Sequence, residues 1–343
     1  MSDLTTVLVK SFNRPYYLDR CLSSISKLLG GHYQVIVLDD GTPPVYLNEI
    51  IRRHPTVELR RSNLYEQKVG QIREHVQGNE KFNLRVIPTD LWVSAVEQAS
   101  DIFLMLEDDI WLTKSFDLDE MVKTMQERRI ILSKLYWGGN PDGFQGKLGQ
   151  TFGRLQEYNP KLPALPGFLL DALLRNKFKL ASVFYRLGLI KEGIYFQLPF
   201  YDLYSVASAV FSKQYWLHLW HQQQVKADET YQLVQGMRWV HNHPNDRFAK
   251  SDQELTQTSF ITSATNNYKD IDFDVFAFNH YINEAWLQGL LGADQRLPRD
   301  FDPTYFKSVL DQAQDPRCTY ANWLQWIQRF KEIYSSMGCI IEE

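Results

Sequence analysis

Two apolar runs in this chain end in carboxylates. Residues 35–38 lead into Asp39, Asp40, Gly41 and Thr42, and residues 102–106 lead into Glu107, Asp108 and Asp109. Short apolar runs bounded by polar turns read as strands covered on both faces, the usual state of parallel strands packed between helices. In open sheets of that kind ligands bind outside the carboxyl ends of the strands, so both clusters should project into one crevice. Carboxylates this close repel unless a cation lies among them. The two clusters together read as a nucleotide-and-metal site.

The neighbouring sequence supports such a sheet. Residues 5–10 form another apolar strand, and Asn13, Arg14 and Pro15 supply a helix start with proline just inside it. Leu18, Leu22, Ile25 and Leu29 follow at helical spacing, Gly30 and Gly31 end the helix, and the run 35–38 completes a β-α-β unit. Residues 57–60 and 84–87 read as short strands with an unassigned polar connection between them. Asp90 reads as the cap of a helix with Leu91, Ala95, Val96 and Ala99 on its buried stripe. Residues 205–211 return to strand character before a tryptophan-rich helix at 214–222, and residues 305–334 are helical, with Trp323, Ile327, Phe330 and Tyr334 on a packing stripe. The expected organisation is a main α/β unit over 1–245, comprising a nucleotide-binding half (1–140), a variable segment (141–200) and a second half (201–245), followed by a helical extension over 246–343.

With 343 residues, 44% hydrophobic and 14% aromatic, the chain can bury a full core and a second, smaller one. Its 37 basic and 41 acidic residues give a net charge of −4, which lacks the basic excess of nucleic-acid-binding proteins, so no nucleic-acid partner is expected. Cys21, Cys318 and Cys339 have neither zinc-site nor disulfide spacing and read as reduced thiols. The opening residues lack a basic start with an apolar signal core, and no run approaches about 18 apolar residues. A cytoplasmic protein is expected, in contact at most with the inner face of the membrane. The segment for that contact is 161–191, where six basic residues stand against Asp171 alone and aromatics are interleaved. Such a segment can lie on an anionic membrane surface; an ordinary helical hairpin with a solvated basic face is the plainer reading.

Several chemistries are excluded by what is missing. An aspartyl phosphatase would need an acid two positions before Asp40, where Leu38 stands. There is no G-x-G-x-x-G after the first strand, no P-loop and no G-x-S-x-G elbow. A bound phosphate would have to be held by metal and side chains, and Glu107, Asp108 and Asp109 offer hard oxygen ligands suited to Mg²⁺ or Mn²⁺.

The order Val7-Leu-Val-Lys10-Ser11-Phe12-Asn13-Arg14-Pro15, then Asp39-Asp40-Gly41-Thr42, then Glu107-Asp108-Asp109 resembles the nucleotide-sugar half of GT-A glycosyltransferases of the family-2-like type, over about residues 4 to 140. The resemblance implies a single mixed α/β sheet flanked by helices, with a helical C-terminal extension. It further implies a nucleotide-sugar donor, UDP-linked in expectation, and transfer to a glycan or lipid-linked glycan acceptor in polysaccharide or glycoconjugate synthesis. Asp40, with or without Asp39, would contact the base, Ser11, Phe12 and Arg14 would line the base pocket, and Glu107 and Asp108 would face ribose and sugar. Asp109 would ligate Mn²⁺ or Mg²⁺. Glu107 stands where the D-x-D motif usually begins with Asp, a departure shared with the GlcNAc-transferase I group.

Comparison with that same group places the general base at Asp228 or Glu229, at the start of a helix; an ordinary N-cap with a first-turn acid fits equally. His241 and His243 lie where many GT-A enzymes carry a histidine that reaches the metal or phosphate. Alternate residues of an extended segment point oppositely, so one of the two would serve; His243 is taken as the candidate. Lys68 and Arg73 are candidate diphosphate partners. Trp137, at a Gly-Gly-Asn turn, is the aromatic best placed to stack on a sugar. The rivals are a sugar nucleotidyltransferase, whose Gly-rich loop the stretch from Ser11 to Pro15 lacks, and a non-catalytic sugar-binding or membrane-peripheral subunit.

Overall fold

The computed structural model describes residues 4–140, 146–163, 165–191, 194–206, 208–220 and 229–341. Its strands are β1 (Thr5–Ser11), β2 (Leu29–Gly30), β3 (Tyr33–Asp39), β4 (Glu58–Arg61), β5 (Ile102–Glu107), β6 (Ile110–Leu112), β7 (Phe116–Asp117), β8 (Ile130–Lys134), β9 (Lys147–Phe152), β10 (Leu155–Asn159), β11 (Ala209–Ser212), β12 (Arg247–Ser251) and β13 (Thr256–Thr258). Nine form one mixed sheet in the order β4-β3-β1-β5-β11-β8-β12-β10-β9. The first four run parallel, β11 is antiparallel to both β5 and β8, and β12 is parallel to β8.

The period of two along a strand divides the interior in two. Val7 and Val9 of β1 and Leu104 and Leu106 of β5 face one apolar cluster, and Leu8, Phe103 and Met105 face the other. The first cluster is completed from the C-terminal part, by Phe276, Phe278 and Trp286 of the helix Val275–Leu287 and by Trp323 and Trp326 of the helix Tyr320–Ser336. Residues after 245 therefore supply both a sheet strand, β12, and one side of the core. A buried polar joint ties the two parts. Asp19 accepts hydrogen bonds from Arg53 (2.7 Å), His54 (2.7 Å) and the Trp286 indole (2.8 Å), and this partner set holds its carboxyl below the usual range even though burial opposes it.

Local departures from the expected elements have identifiable causes. Residues 84–87 form no strand but an irregular segment, and the unassigned polar stretch before them is the helix Tyr65–Val76. The helix Thr89–Gln98 begins after Pro88 without a side-chain cap, and Asp90 lies in its first turn, where a negative charge suits the helix dipole. The basic segment is divided into Gly167–Leu174, a short turn at Lys177–Lys179, and Leu180–Arg186. His241 lies in the last turn of the helix Glu229–Asn242, so the stretch before His243 is not extended. The expected C-terminal helix is two, Pro303–Ala313 and Tyr320–Ser336, capped by Asp302 and Thr319.

Candidate functional site

At the carboxyl edge, β1 stands between β3 on one side and β5 on the other, which makes its end the switch point of the sheet. Ser11 is in register with Asp39, and Lys10 with Glu107, so the ends of all three strands meet there.

Asp39 is consumed by its own turn. One oxygen accepts from the N–H groups of Gly41 (3.0 Å) and Thr42 (2.8 Å), the other from the Thr42 hydroxyl (2.6 Å), and burial pushes its carboxyl up to about 6 despite these bonds. The Thr42 hydroxyl in turn accepts from the Asn13 N–H (2.8 Å), pinning the β1 turn, where Asn13 takes a left-handed φ of 52°. Gly41 sits at φ 147°, where a Cβ would lie 2.9 Å from Lys68 and 3.0 Å from the Phe12 ring, so only glycine allows the two loops to close this far.

Asp40 points the other way. Its Oδ2 accepts from Lys68, which is itself buried and also donates to the Val86 carbonyl (2.5 Å). Among the described residues Oδ1 is buried without a hydrogen bond, although Ser62 is near enough to pull the acid's pKa down against the larger upward effect of burial.

The second cluster is neutralised by cations from the end of β1. Lys10 donates to Glu107 (2.6 Å), and the Arg14 guanidinium straddles the next two acids, donating to Asp108 with one nitrogen and to Asp109 with the other (2.7 Å). Asp108 also accepts from the Phe12 N–H (3.0 Å), which occupies its second oxygen. Burial raises Asp108 to about 7, with the Asp109 charge adding to the rise and Arg14 opposing it, and the same carboxylates hold Arg14 firmly protonated. Asp109 Oδ2 is bound by Arg14, and among the described residues its Oδ1 accepts no hydrogen bond.

Ser11, Phe12, Arg14, Asp40, Glu107 and Asp108 line one cavity of about 300 Å³, with Lys10 and Lys68 beside them. The irregular segment at 84–87 closes it, with Phe82 and Trp92 adding aromatic walls, and Ala264 and Thr265 enter from beyond β13. Of the residues not expected in the cavity, Lys10 carries a sequence signal, a lone charge ending an otherwise apolar run. Ala264 and Thr265 carry none.

The remaining candidates are scattered. Lys68 serves Asp40 instead of facing an open phosphate position, and Arg73 is exposed beside Glu74 at 3.6 Å. Glu229 opens its helix and accepts from the Tyr201 hydroxyl; burial chiefly, with the charges of Glu229 and Glu107 adding to it, raises the Tyr204 phenol. Asp228 lies outside the described residues. Trp137 is half-buried, with Lys250 4.4 Å above its ring and the Trp137 backbone N–H donating to Glu254 at 2.7 Å. The turn after it is covered instead of open, since Ile340 donates to the Gly138 carbonyl at 2.7 Å. His243 precedes β12, which runs in the same direction as β5, so it stands at the opposite edge of the sheet from Asp109, stacked on Trp239 at 4.0 Å. Among the described residues no three His, Cys, Asp or Glu side chains are grouped as metal ligands.

No protein-family model matches the chain, and no curated protein matches it. Solved structures are similar in outline. Glucosyl-3-phosphoglycerate synthase from Mycobacterium tuberculosis, in complex with Mg²⁺ and UDP, is 14% identical over 84% of this chain and 80% of that one, at a TM-score of 0.42. S. aureus TarS is 12% identical over 90% of this chain and 42% of that one (TM-score 0.40), and the bifunctional glycosyltransferase WbbM 10% identical over 97% and 52% (TM-score 0.35). This chain thus spans about half the length of the latter two. Likeness at this level transfers no activity or residue role.

Proposed function

We propose that the chain is a GT-A glycosyltransferase that moves a sugar from a nucleotide-diphosphate donor, UDP-linked by preference, to an acceptor hydroxyl. One observation carries the reading: six residues from three strand ends line a single cavity at the switch point of the sheet. Phe12 and Phe82 form the apolar wall for the base, Asp40 accepts a base N–H with Lys68 fixing its orientation, and Glu107 and Asp108 face ribose and sugar. Asp39 acts behind them by holding the turn.

A divalent cation would be held through Asp109, which follows the cavity-lining Glu107 and Asp108 without lining the cavity itself and is the member of Asp108 and Asp109 with an oxygen still open to an added ligand. Bound there, Mg²⁺ or Mn²⁺ would supply charge neutralisation for the departing diphosphate. Arg14 holds Asp108 and Asp109 in place and sets its own positive charge beside the diphosphate. Glu229 or Asp228 takes the proton of the acceptor hydroxyl as its oxygen attacks the anomeric carbon from the face opposite the phosphate. The carbon–oxygen bond to the diphosphate breaks, its electron pair leaves with the nucleotide, and the anomeric configuration inverts. A glycan or lipid-linked glycan is the acceptor class, in polysaccharide or glycoconjugate synthesis.

The test is isothermal titration with UDP, with and without Mn²⁺, together with nucleotide release from a panel of UDP- and GDP-sugars. UDP binding strengthened by Mn²⁺, with sugar-nucleotide hydrolysis lost in Asp109→Ala, is expected. Absence of nucleotide binding in both conditions would overturn the reading.

A further inference from the structure

Eight of the sixteen exposed large apolar side chains among the described residues lie between 165 and 195. The most exposed is Phe178, 99% accessible, at the tip of the turn between the helices Gly167–Leu174 and Leu180–Arg186. Asn176, Phe178 and Lys179 all have left-handed φ, at 47°, 54° and 60°, a conformation that bulky L-residues avoid, and it thrusts the phenyl ring outward between Lys177 and Lys179. Phe168, Leu187 and Leu189, 64–78% exposed, add apolar surface on the same segment, which also carries Arg175, Arg186 and Lys191.

Charge decides among occupants. Residues 161–191 hold six basic side chains, and their one acid, Asp171, is already engaged by Lys177 at 3.0 Å, Arg175 at 3.4 Å and Arg238 at 3.3 Å. A second copy of this face would bring like charges together around the same apolar tip. An anionic lipid surface accepts both parts, the ring below the headgroups and the cations among the phosphates. Among the described residues no helix is long and apolar enough to cross a membrane, so this contact would lie on the surface.

We infer that the face made by Phe168, Phe178, Leu187 and Leu189 with Lys177 and Lys179 docks the protein on anionic bilayers. Arg175 of this face lies 5.3 Å over the Tyr231 ring, in the first turns of the helix that Glu229 opens. Docking would therefore hold the acceptor side of the crevice near the lipid surface, where a lipid-linked acceptor would be presented. That last orientation rests on the proposed function; the docking does not.

The experiment is co-sedimentation of the full chain with vesicles of phosphatidylcholine, with and without phosphatidylglycerol. Binding to the anionic vesicles alone, reversed by high salt, is expected. Phe178→Ser should weaken it about 10-fold, and Lys177→Glu with Lys179→Glu at least as much, given the few-fold contribution of each cation at a charged surface. UDP titration of the same variants should match the parent, because none of these residues lines the cavity at the switch point, and thermal melting of Phe178→Ser, which removes a fully exposed ring, should match it too. Equal binding to neutral vesicles, no binding to either, or a dimer in sedimentation that these variants dissolve would overturn the inference. UDP binding measured separately keeps its failure distinct from failure of the donor reading.

Discussion

The two acidic strand ends handle the same problem differently. At the end of β3 one carboxylate is turned inward and satisfied by backbone and hydroxyl donors, while its neighbour is held by Lys68 from the helix Tyr65–Val76. At the end of β5 no acid is satisfied by its own turn; the cations come from the end of β1, with Lys10 on Glu107 and Arg14 shared between Asp108 and Asp109. The first end is thus built to hold a single acceptor in a fixed orientation. The second is a strip of charge balanced by two cations from a neighbouring strand end, with Arg14 buried between Asp108 and Asp109.

The sharpest way to break this comparison is Arg14→Met. Removing one member of a buried ion pair leaves uncompensated charge worth about 3–5 kcal/mol, so urea unfolding should register a loss of that order. UDP affinity should fall by more than about 100-fold if the same charge meets the diphosphate. A variant that is destabilised but binds UDP normally would reduce Arg14 to a structural counter-ion. Asp40→Asn tests the first end. It keeps the shape and turns a charged acceptor into a neutral one, leaving the buried Lys68 ammonium without its counter-charge. Stability should therefore fall by about 3–5 kcal/mol in urea, and UDP affinity of the folded protein by about 1.5–3 kcal/mol, roughly 10- to 100-fold by titration. An unchanged affinity would remove Asp40 from the base site.

Asp39 should behave in the opposite sense. Asp39→Ala strips three donors of their acceptor and should cost about 1–3 kcal/mol in chemical denaturation. Any loss of nucleotide affinity should follow the loss of fold, and should recover in Asp39→Asn, which retains an acceptor oxygen. Selective loss of binding without destabilisation would show that Asp39 reaches the ligand.

Much of this arrangement is legible in the residues, for a physical reason. Parallel strands announce themselves as continuous apolar runs, and carboxylates at their ends are costly enough to be noticed, so β1, β3 and β5 and the acids Asp40, Glu107 and Asp108 fall where the pattern places them. The identity of the balancing charge was not legible. A cluster of acids signals that a cation is needed, and a guanidinium answers that need as well as a metal does; nothing in the spacing of Arg14 distinguishes the two. The segment at 84–87 looks like a strand because Leu84, Val86 and Ile87 are apolar, but their apolar surface lines the cavity instead of joining a ladder. His243 shows the opposite failure. Its distance along the chain says nothing of sheet direction, and β12 begins at the edge away from the acids. Ala264 and Thr265 arrive through long-range packing of the C-terminal helices, which no local pattern records.

The smallest expected effect concerns an acid remote from the crevice, Asp19, which shows how a purely structural carboxylate behaves. Arg53, His54 and the Trp286 indole all donate to it and lower its folded pKa below the ordinary value of about 3.9. A depressed pKa contributes stability that is complete above the unfolded value and is lost as pH falls through that value toward the folded one. Stability measured in urea should therefore decline below about pH 4, and Asp19→Asn should be less stable at neutral pH and flatter in that acidic window. A parallel decline in both proteins would assign the acid sensitivity elsewhere. UDP affinity at neutral pH should be the same for Asp19→Asn and the parent, because the joint between Asp19 and Trp286 fixes the C-terminal helices to the sheet without touching the cavity at its edge.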